Sequence, residues 1–463
     1  MLDDLGEKLT EKFKNYMPDA FVFALALTLI TGIGAFVWAR ASLMDILQAW
    51  YTGFWMLLEF GMQMVLILVT GYSIAISPFA KGQIGRLTKY IQTPKQVYPF
   101  ILLVGMTLAL VSWGWMVITA VLARELAQRI KGIHYPYLIA CVYFSGFIWV
   151  NGLSSSIPLL LNTEDNYLIE AGILQGTLST GYTLGSILNL LVIGLSFLIG
   201  PALFRLLIPK KEQDLDTMLL EGSQKVELTI KKEAESMMLS HKAVSDQLNN
   251  SWILQYAIAS LGLAYVVFHF SSNGFDLNLN IMIFLFIVLG LFLHRTPVRY
   301  GLAMKRASAN ISGIIFQFPF YAGIMGIMIY TGLGEKAAQW MASVADIHTY
   351  PLFAFLTGAI ANFAIPSAGG EFAVVGPSIL QAVKEIGAGL PDAEMNKLIA
   401  RAALSVAYGE TLTNALQPFY LLIILPVMGI GVRVRARDVM GYLLIPFLVF
   451  FVLLAAMVTW MPL

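Results

Sequence analysis

Long apolar runs separated by short polar loops set the pattern of this chain. A bilayer core of about 30 Å needs about 20 helical residues at 1.5 Å each. The first run of that length is 21–39, directly after the helix-start pair Pro18-Asp19. No cationic stretch, short apolar core and small-residue cleavage site come before it in signal-peptide order, so it reads as a retained span. Further spans are predicted at 54–76, 135–161, 180–208, 252–270, 277–294, 309–330, 398–426 and 439–460. Two more apolar stretches, 97–123 and 350–383, are interrupted halfway by Ser112-Trp113-Gly114-Trp115 and by Pro366-Ser367-Ala368-Gly369-Gly370. Each has room for two short helices that enter and turn back, which predicts a pair of re-entrant hairpins.

Charge tests this threading, because cytoplasmic loops are enriched in Lys and Arg. With the N-terminus inside, the inner loops carry Lys81, Arg86, Lys89 and Lys95, then Arg124, Arg129 and Lys131, then Lys210, Lys211, Lys225, Lys231 and Lys232. Arg295, Arg299, Lys305 and Arg306 follow, and finally Arg433, Arg435 and Arg437, whereas the outer loops 162–179 and 271–276 contain neither Lys nor Arg. Counting either hairpin as one crossing inverts every later loop and breaks the rule. Composition agrees: 58% of residues are apolar and only 12% charged, about half the charged share of a soluble domain. The single cysteine, Cys141, allows no intramolecular disulfide and no Cys-based zinc site. A net charge of +1 gives no electrostatic case for nucleic acid. The reading is an all-α polytopic membrane protein.

The stretch 209–250 mixes both charge signs and reads as a cytoplasmic linker. It divides the chain into 1–208, the linker 209–250, a connecting span within 251–276, and 277–463. The flanking parts resemble each other. Gln63 and Gln317 stand 254 residues apart, Tyr98-Pro99 and Tyr350-Pro351 252 apart, and Ser145 and Ser405, like Pro158 and Pro418, 260 apart. An odd number of crossings between equivalent starts predicts that the second copy is inverted relative to the first. Inverted repeats with interrupted helices at matching positions mark secondary transporters. The alternative is a duplicated bundle without transport.

The interruptions carry the candidate chemistry. Beside the two hairpin tips, helices are predicted to break at Asn151-Gly152-Leu153-Ser154-Ser155-Ser156-Ile157-Pro158 and at Gly409-Glu410-Thr411-Leu412-Thr413-Asn414, with Gln417-Pro418 closing the last. Glycine lets the chain leave the helix and proline removes a backbone donor. Unwound backbone survives at membrane depth only when buried in protein or lining a wet cavity. Helix N-termini opened this way present N–H groups and a positive dipole end that suit a carboxylate, while freed carbonyls and the Ser, Thr and Asn oxygens suit a hard cation such as sodium. The candidate substrate-binding residues are Ser112, Trp113, Gly114, Trp115, Asn151, Gly152, Ser154, Ser155, Ser156, Asn362, Pro366, Ser367, Gly369, Gly370, Thr411, Asn414 and Gln417. Glu371 and Glu410 lie inside the breaks, where an acid costs at least about 2.5–3.5 kcal/mol. They are the candidate ion-coupling groups for protons, with Ser154, Ser156, Ser367 and Thr413 as candidate sodium ligands. Neither HExxH, nor Walker A, nor GxSxG occurs, so no cofactor, zinc peptidase chemistry or ATP drive is indicated. An intramembrane enzyme would need a Ser–His pair, an Asp pair or a metal site at depth, and a passive channel would need rings of like charge.

These strings resemble the short-chain fatty acid transporter family of bacteria. The likeness is densest at Phe54-Trp55 through Gly71, at Trp113-Gly114 with Ala123-Arg124-Glu125, at Asn362-Phe363-Ala364 with Pro366-Ser367 and Gly369-Gly370, and at Ala407-Tyr408-Gly409-Glu410 with Gln417-Pro418-Phe419. Two positions depart from the family pattern: Ser112, where Asn is common, and Glu371, where His is frequent. The resemblance implies a scaffold and a moving transport domain, a homodimer and a bacterial inner-membrane location. It also implies ion-coupled carriage of a small organic anion such as butyrate or acetoacetate. A dicarboxylate would call for a second cation, and Arg401 is the only basic residue near a break.

Overall fold

The computed structural model describes residues 20–463 except 88–90, 113–114, 210–212, 220–229, 238–242, 309–310, 363–364, 366, 418–419 and 430–431. Among the described residues it is helical throughout, and its only strand-like contact is an isolated antiparallel bridge between Leu219 and Val432. The first part runs through α1 (Ala20–Val37), α2 (Leu43–Gly53), α3 (Leu58–Ala75), α4 (Pro78–Leu87), α5 (Pro94–Val111) and α6 (Trp115–Arg129). It continues with α7 (Tyr135–Ser145), a 3-10 stretch (Phe147–Asn151), α8 (Ser156–Leu161) and α9 (Ile187–Leu206). After α10 (Ile230–Ser236) and α11 (Trp252–Asn273), the second part runs through α12 (Leu279–His294), α13 (Pro297–Ala307), α14 (Ser312–Tyr330), α15 (Leu333–Val344), α16 (Tyr350–Ala361) and α17 (Ala368–Ile386). It ends with α18 (Asp392–Thr413), a 3-10 turn (Asn414–Leu416), α19 (Leu421–Met428) and α20 (Leu444–Trp460). Six of these segments are long and apolar enough to cross a membrane, or seven if the pair Ile315–Tyr330 and Leu333–Val344, bent by 71°, is one span.

The order of elements recurs. The helices starting at 20, 43, 58, 78, 94, 115, 135 and 187 return at 279, 297, 312, 333, 350, 368, 392 and 444, an offset of 253–259. Packing is exchanged between the copies: α14 takes α1 and α2 against it, and α3 takes α12 and α13. Where α2 crosses α14, Gly53 and Gly326 meet backbone to backbone, with a Cβ on either falling 2.5 Å from the other's Cα.

Local chemistry sets the helix ends. Ser42 and Asp45 cap α2 reciprocally, and the hydroxyls of Ser186 and Ser251 and the side-chain oxygen of Asn278 accept from first-turn amides of α9, α11 and α12. Such caps satisfy amides that have no partner inside the helix. The polar linker is anchored at Asp214, Met218 and Glu233. The Asp214 carboxylate accepts from the Ile133 amide at 2.8 Å, Arg433 N donates to the Met218 carbonyl at 2.8 Å, and Glu233 of α10 pairs with Arg306 of α13.

Several predicted boundaries change. The span predicted from 180 becomes helical only at Ile187, because 180–186 forms capped turns held by Thr180, Thr183 and Ser186. The short helices α2, α4, α13 and α15 were not foreseen, since they are too short or too amphipathic to show as spans. The second broken helix stays helical through Thr413 and leaves the α-helix at 414–417, not at Gly409. Gly409 serves close packing instead: a Cβ there would lie 2.0 Å from the Phe355 carbonyl of α16.

Candidate functional site

In each interrupted stretch the two arms pack against each other, α5 on α6 and α16 on α17. A Cβ on Gly105 of α5 would lie 3.0 Å from Thr119 of α6, so the arms run antiparallel about residue 112. Trp113 and Gly114 fall outside the described residues, Ser112 closes α5, and Trp115 opens α6. In the second stretch Asn362 closes α16 and Ser367 precedes α17, while Pro366 falls outside the described residues. Each second arm packs against the other copy's broken helix: α6 on α19, and α17 on α8. The helix α8 also touches α18. The residues of three predicted breaks therefore meet where α8, α17 and α18 converge.

At this junction both predicted acids are fully buried. Glu371 lies in the first turn of α17 and Glu410 in the last turn of α18, helices that pack against each other. The Asn414 amide donates to Glu410 Oε1 at 2.9 Å. Around it, the Asn362 amide donates to Thr413 Oγ1 at 2.8 Å and to Asn414 Oδ1 at 3.3 Å. The Gln417 amide donates to the Asn362 carbonyl at 3.0 Å and to Asn414 Oδ1 at 3.1 Å. These bonds consume the donors and leave acceptors over. Both oxygens of Glu371, Oε2 of Glu410 and Oδ1 of Asn362 are buried without a hydrogen-bond partner, and neither acid has an ion pair among the described residues. Four acceptor oxygens with no donor form a place for a proton or a cation, since a buried anion without either is costly.

The donors lie on α8 and the unwound residues before it. Ser154, Ser155 and Ser156 are 1–3% exposed, and none of their hydroxyls has a partner. They can turn toward an anion at no cost in existing bonds. Gly152 lets this turn lie against α5, where a Cβ would fall 2.3 Å from the Leu110 carbonyl. The Leu153 amide donates to that same carbonyl at 2.7 Å.

Other predicted residues hold the frame. Asn151 is bound to Asn189 of α9, amide to Oδ1 at 2.7 Å, and Tyr408 donates to the same Oδ1 at 2.9 Å. Thr411 donates to the Phe147 carbonyl at 2.7 Å. Gly369 admits Phe60 and Gly370 admits Tyr321, with Cβ contacts of 2.6 Å and 3.1 Å. Ser367 is half-buried, with its carbonyl bonded to the Glu371 amide at 2.7 Å.

Four partners escaped sequence reasoning: Tyr143, Trp149, Asn189 and Tyr420. The Tyr420 hydroxyl accepts from Trp149 Nε1 at 3.0 Å and from the Asn414 amide at 3.2 Å. Their one signal was a polar group on an apolar helix beside a break, which is also how packing and interfacial aromatics look.

The comparisons with known proteins agree with one another. The family model described as short chain fatty acid transporter matches residues 1–461. A candidate short-chain fatty acid transporter of Escherichia coli strain K12 is 34% identical over 445 residues, 96% of each chain. Its counterpart in Haemophilus influenzae is 32% identical over 449 residues, again 96% of each. The fold is similar to the crystal structure of the YdaH transporter of Alcanivorax borkumensis, with a TM-score of 0.57 at 16% identity, over 96% of this chain and 98% of that one. It is also similar to MtrF of Neisseria gonorrhoeae, with a TM-score of 0.53 at 13% identity, over 97% and 96%. The chain belongs to the short chain fatty acid transporter family, and is a multi-pass membrane transporter rather than an enzyme.

Proposed function

We propose that this protein carries short-chain monocarboxylates such as butyrate or acetoacetate across a bacterial inner membrane, its N-terminus inside, in symport with protons. The observation that carries the reading is the sorting of orphaned groups: hydroxyl donors at 154–156, and acceptors only at Glu371, Glu410 and Asn362. An anion meets the donors, and a proton meets the acceptors. Joint occupancy makes the loaded site neutral, which lowers the cost of moving it through a low-dielectric region.

The moving unit in this reading comprises the two hairpins with 135–161 and 398–426. The helices α1, α3, α12 and α14 belong to the scaffold, which holds the homodimer contact. The exchanged packing of α1 and α2 on α14, and of α12 and α13 on α3, supports a scaffold shared by two inverted copies. Sodium is the second reading, favoured by the Asn362 oxygen beside the acids.

Uptake of labelled butyrate into proteoliposomes, with an imposed proton or sodium gradient, tests this. Glu410→Gln keeps the shape of the protonated acid. Under proton coupling it exchanges cargo but no longer accumulates it. Accumulation by that variant, following the sodium gradient, replaces the proton by sodium. Wild-type uptake indifferent to both gradients refutes coupling altogether.

A further inference from the structure

Pro418 has no amide hydrogen. The Asn414 carbonyl, whose α-helical partner would be the amide four residues on, accepts instead from the Gln417 amide three residues on, at 3.2 Å. A residue from the other copy adds a side-chain donor to this turn. The Tyr143 hydroxyl, in the last turn of α7, stands 2.7 Å from the Asn414 carbonyl and 2.6 Å from the Gln417 carbonyl. The Tyr420 amide donates to the same hydroxyl at 3.4 Å. Tyr143 is 2% exposed, and its ring lies 5.4 Å from that of Tyr420, centroid to centroid. One phenolic group thus ties both ends of the turn 414–417. That turn carries the Asn414 amide, which donates to Glu410 Oε1, and the Gln417 amide, which donates to the Asn362 carbonyl.

We propose that Tyr143 is a positioning residue for ion coupling, holding the 414–417 turn in the form that keeps Asn414 on Glu410 and leaves the other Glu410 oxygen facing the ion. The inference rests on the coupling role of Glu410 given above. The hydroxyl has one hydrogen to share between the two carbonyls, and the Asn414 carbonyl keeps the Gln417 amide. Without the hydroxyl the Gln417 carbonyl loses its side-chain donor, and a buried polar group left unpaired costs more than its bond contributed. The side-chain donors in the turn are the amides of Asn414 and Gln417. If either swings to satisfy a carbonyl, it abandons Glu410 or Asn362. The cost of losing this hydroxyl is therefore transferred to the acid two turns of hydrogen bonds away, not only to the stability of the fold.

Tyr143→Phe removes one oxygen and keeps the ring packing. Tyr137→Phe is the control: its hydroxyl donates to the Phe204 carbonyl at 2.6 Å, one helix turn or more from the site and in the same α7. Proteoliposome uptake is measured against the concentration of coupling ion at saturating butyrate, and against butyrate at saturating ion, with thermal unfolding in detergent alongside. Tyr143→Phe is expected to raise the half-saturating ion concentration about tenfold, the effect of one lost hydrogen bond, with the butyrate KM within about twofold of wild type. Tyr137→Phe is expected to lower the unfolding temperature without moving the ion curve. If Glu410→Gln loses ion dependence but Tyr143→Phe behaves like Tyr137→Phe, the positioning role is refuted and the coupling reading stands. If Glu410→Gln keeps wild-type ion dependence, the coupling reading fails and takes this inference with it. If Tyr143→Phe does not fold while Tyr137→Phe does, the hydroxyl is a folding determinant and the positioning role is rejected.

Discussion

Replacing Gly409 by alanine sets helix packing against helix propensity at one atom. In an open helix the change adds up to about 1 kcal/mol of stability, because alanine loses less backbone freedom on folding. At Gly409 the added Cβ would lie 2.0 Å from the Phe355 carbonyl oxygen, 2.8 Å from the Ala359 amide and 3.0 Å from the Phe355 carbonyl carbon. Three contacts with backbone leave no flexible side chain to give way. The same interface is as tight at Gly358, where a Cβ would meet the Val406 carbonyl at 2.4 Å. Reaching an ordinary carbon–oxygen contact requires α16 and α18 to part by on the order of 1 Å. A gap of that size forfeits a quarter to a half of each dispersion contact along the seam, and overpacking of a core typically costs about 1–3 kcal/mol. Gly409→Ala should therefore destabilise by about 2 kcal/mol or more net of the propensity gain. It should also slow uptake, since Glu410 is the next residue. Gly194→Ala in α9, where nothing lies within 4 Å of the added carbon, should instead be neutral or stabilising. Unfolding of both variants in one detergent, followed by light scattering or tryptophan fluorescence, reads the difference. Equal or reversed shifts would show that the α16–α18 seam is not closed at Gly409.

Ser154→Ala and Ser155→Ala each remove a hydroxyl with no structural bond to lose, so the butyrate KM should rise about ten- to a hundredfold while the unfolding temperature stays put. Thr411→Ala should do the reverse, because its hydroxyl is spent on the Phe147 carbonyl; an unchanged unfolding temperature there would contradict the geometry. Asn189→Leu strands Tyr408 and Asn151 together and should cost about 2–4 kcal/mol in unfolding. Outside the membrane, the Asp346 carboxylate accepts from the amides of His348 and Thr349 and from the Thr349 hydroxyl, which hold it below its usual 3.8. An acid depressed in this way adds stability above its unfolded-state value and loses it as pH falls through the folded one. Amide exchange at His348 and Thr349 should therefore accelerate below about pH 4, and Asp346→Asn should abolish that pH dependence.

The sequence by itself determined the class, the helical architecture and most of the breaks. Run length against bilayer thickness, basic loops on one side and paired glycine, proline and serine clusters are local properties, and physics acts on them residue by residue. The unwound residues before α8 and the placing of Glu371 and Glu410 beside interruptions were legible in this way. Burial direction was not. In the apolar window of Tyr135–Leu161 94% of residues are buried inside the protein, and in that of Val244–Asn273 only 22%. Lipid and protein core are equally apolar solvents, so hydrophobicity cannot distinguish a span that faces one from a span that faces the other. Gly409 was misread for a related reason. A glycine inside a helix pattern signals either an opening or a close approach, and only the position of Phe355 decides. The acceptor cluster needed tertiary structure as well, since Glu371 and Glu410 come from different helices and Asn362 closes a third. Tyr143 is apolar-looking on its own helix, and it gains a role only because α7 of one copy lies beside the proline-broken turn of the other. Glycine and proline clusters mark where the backbone must leave its helix; only the packing of the two copies decides which side chain ties the resulting turn.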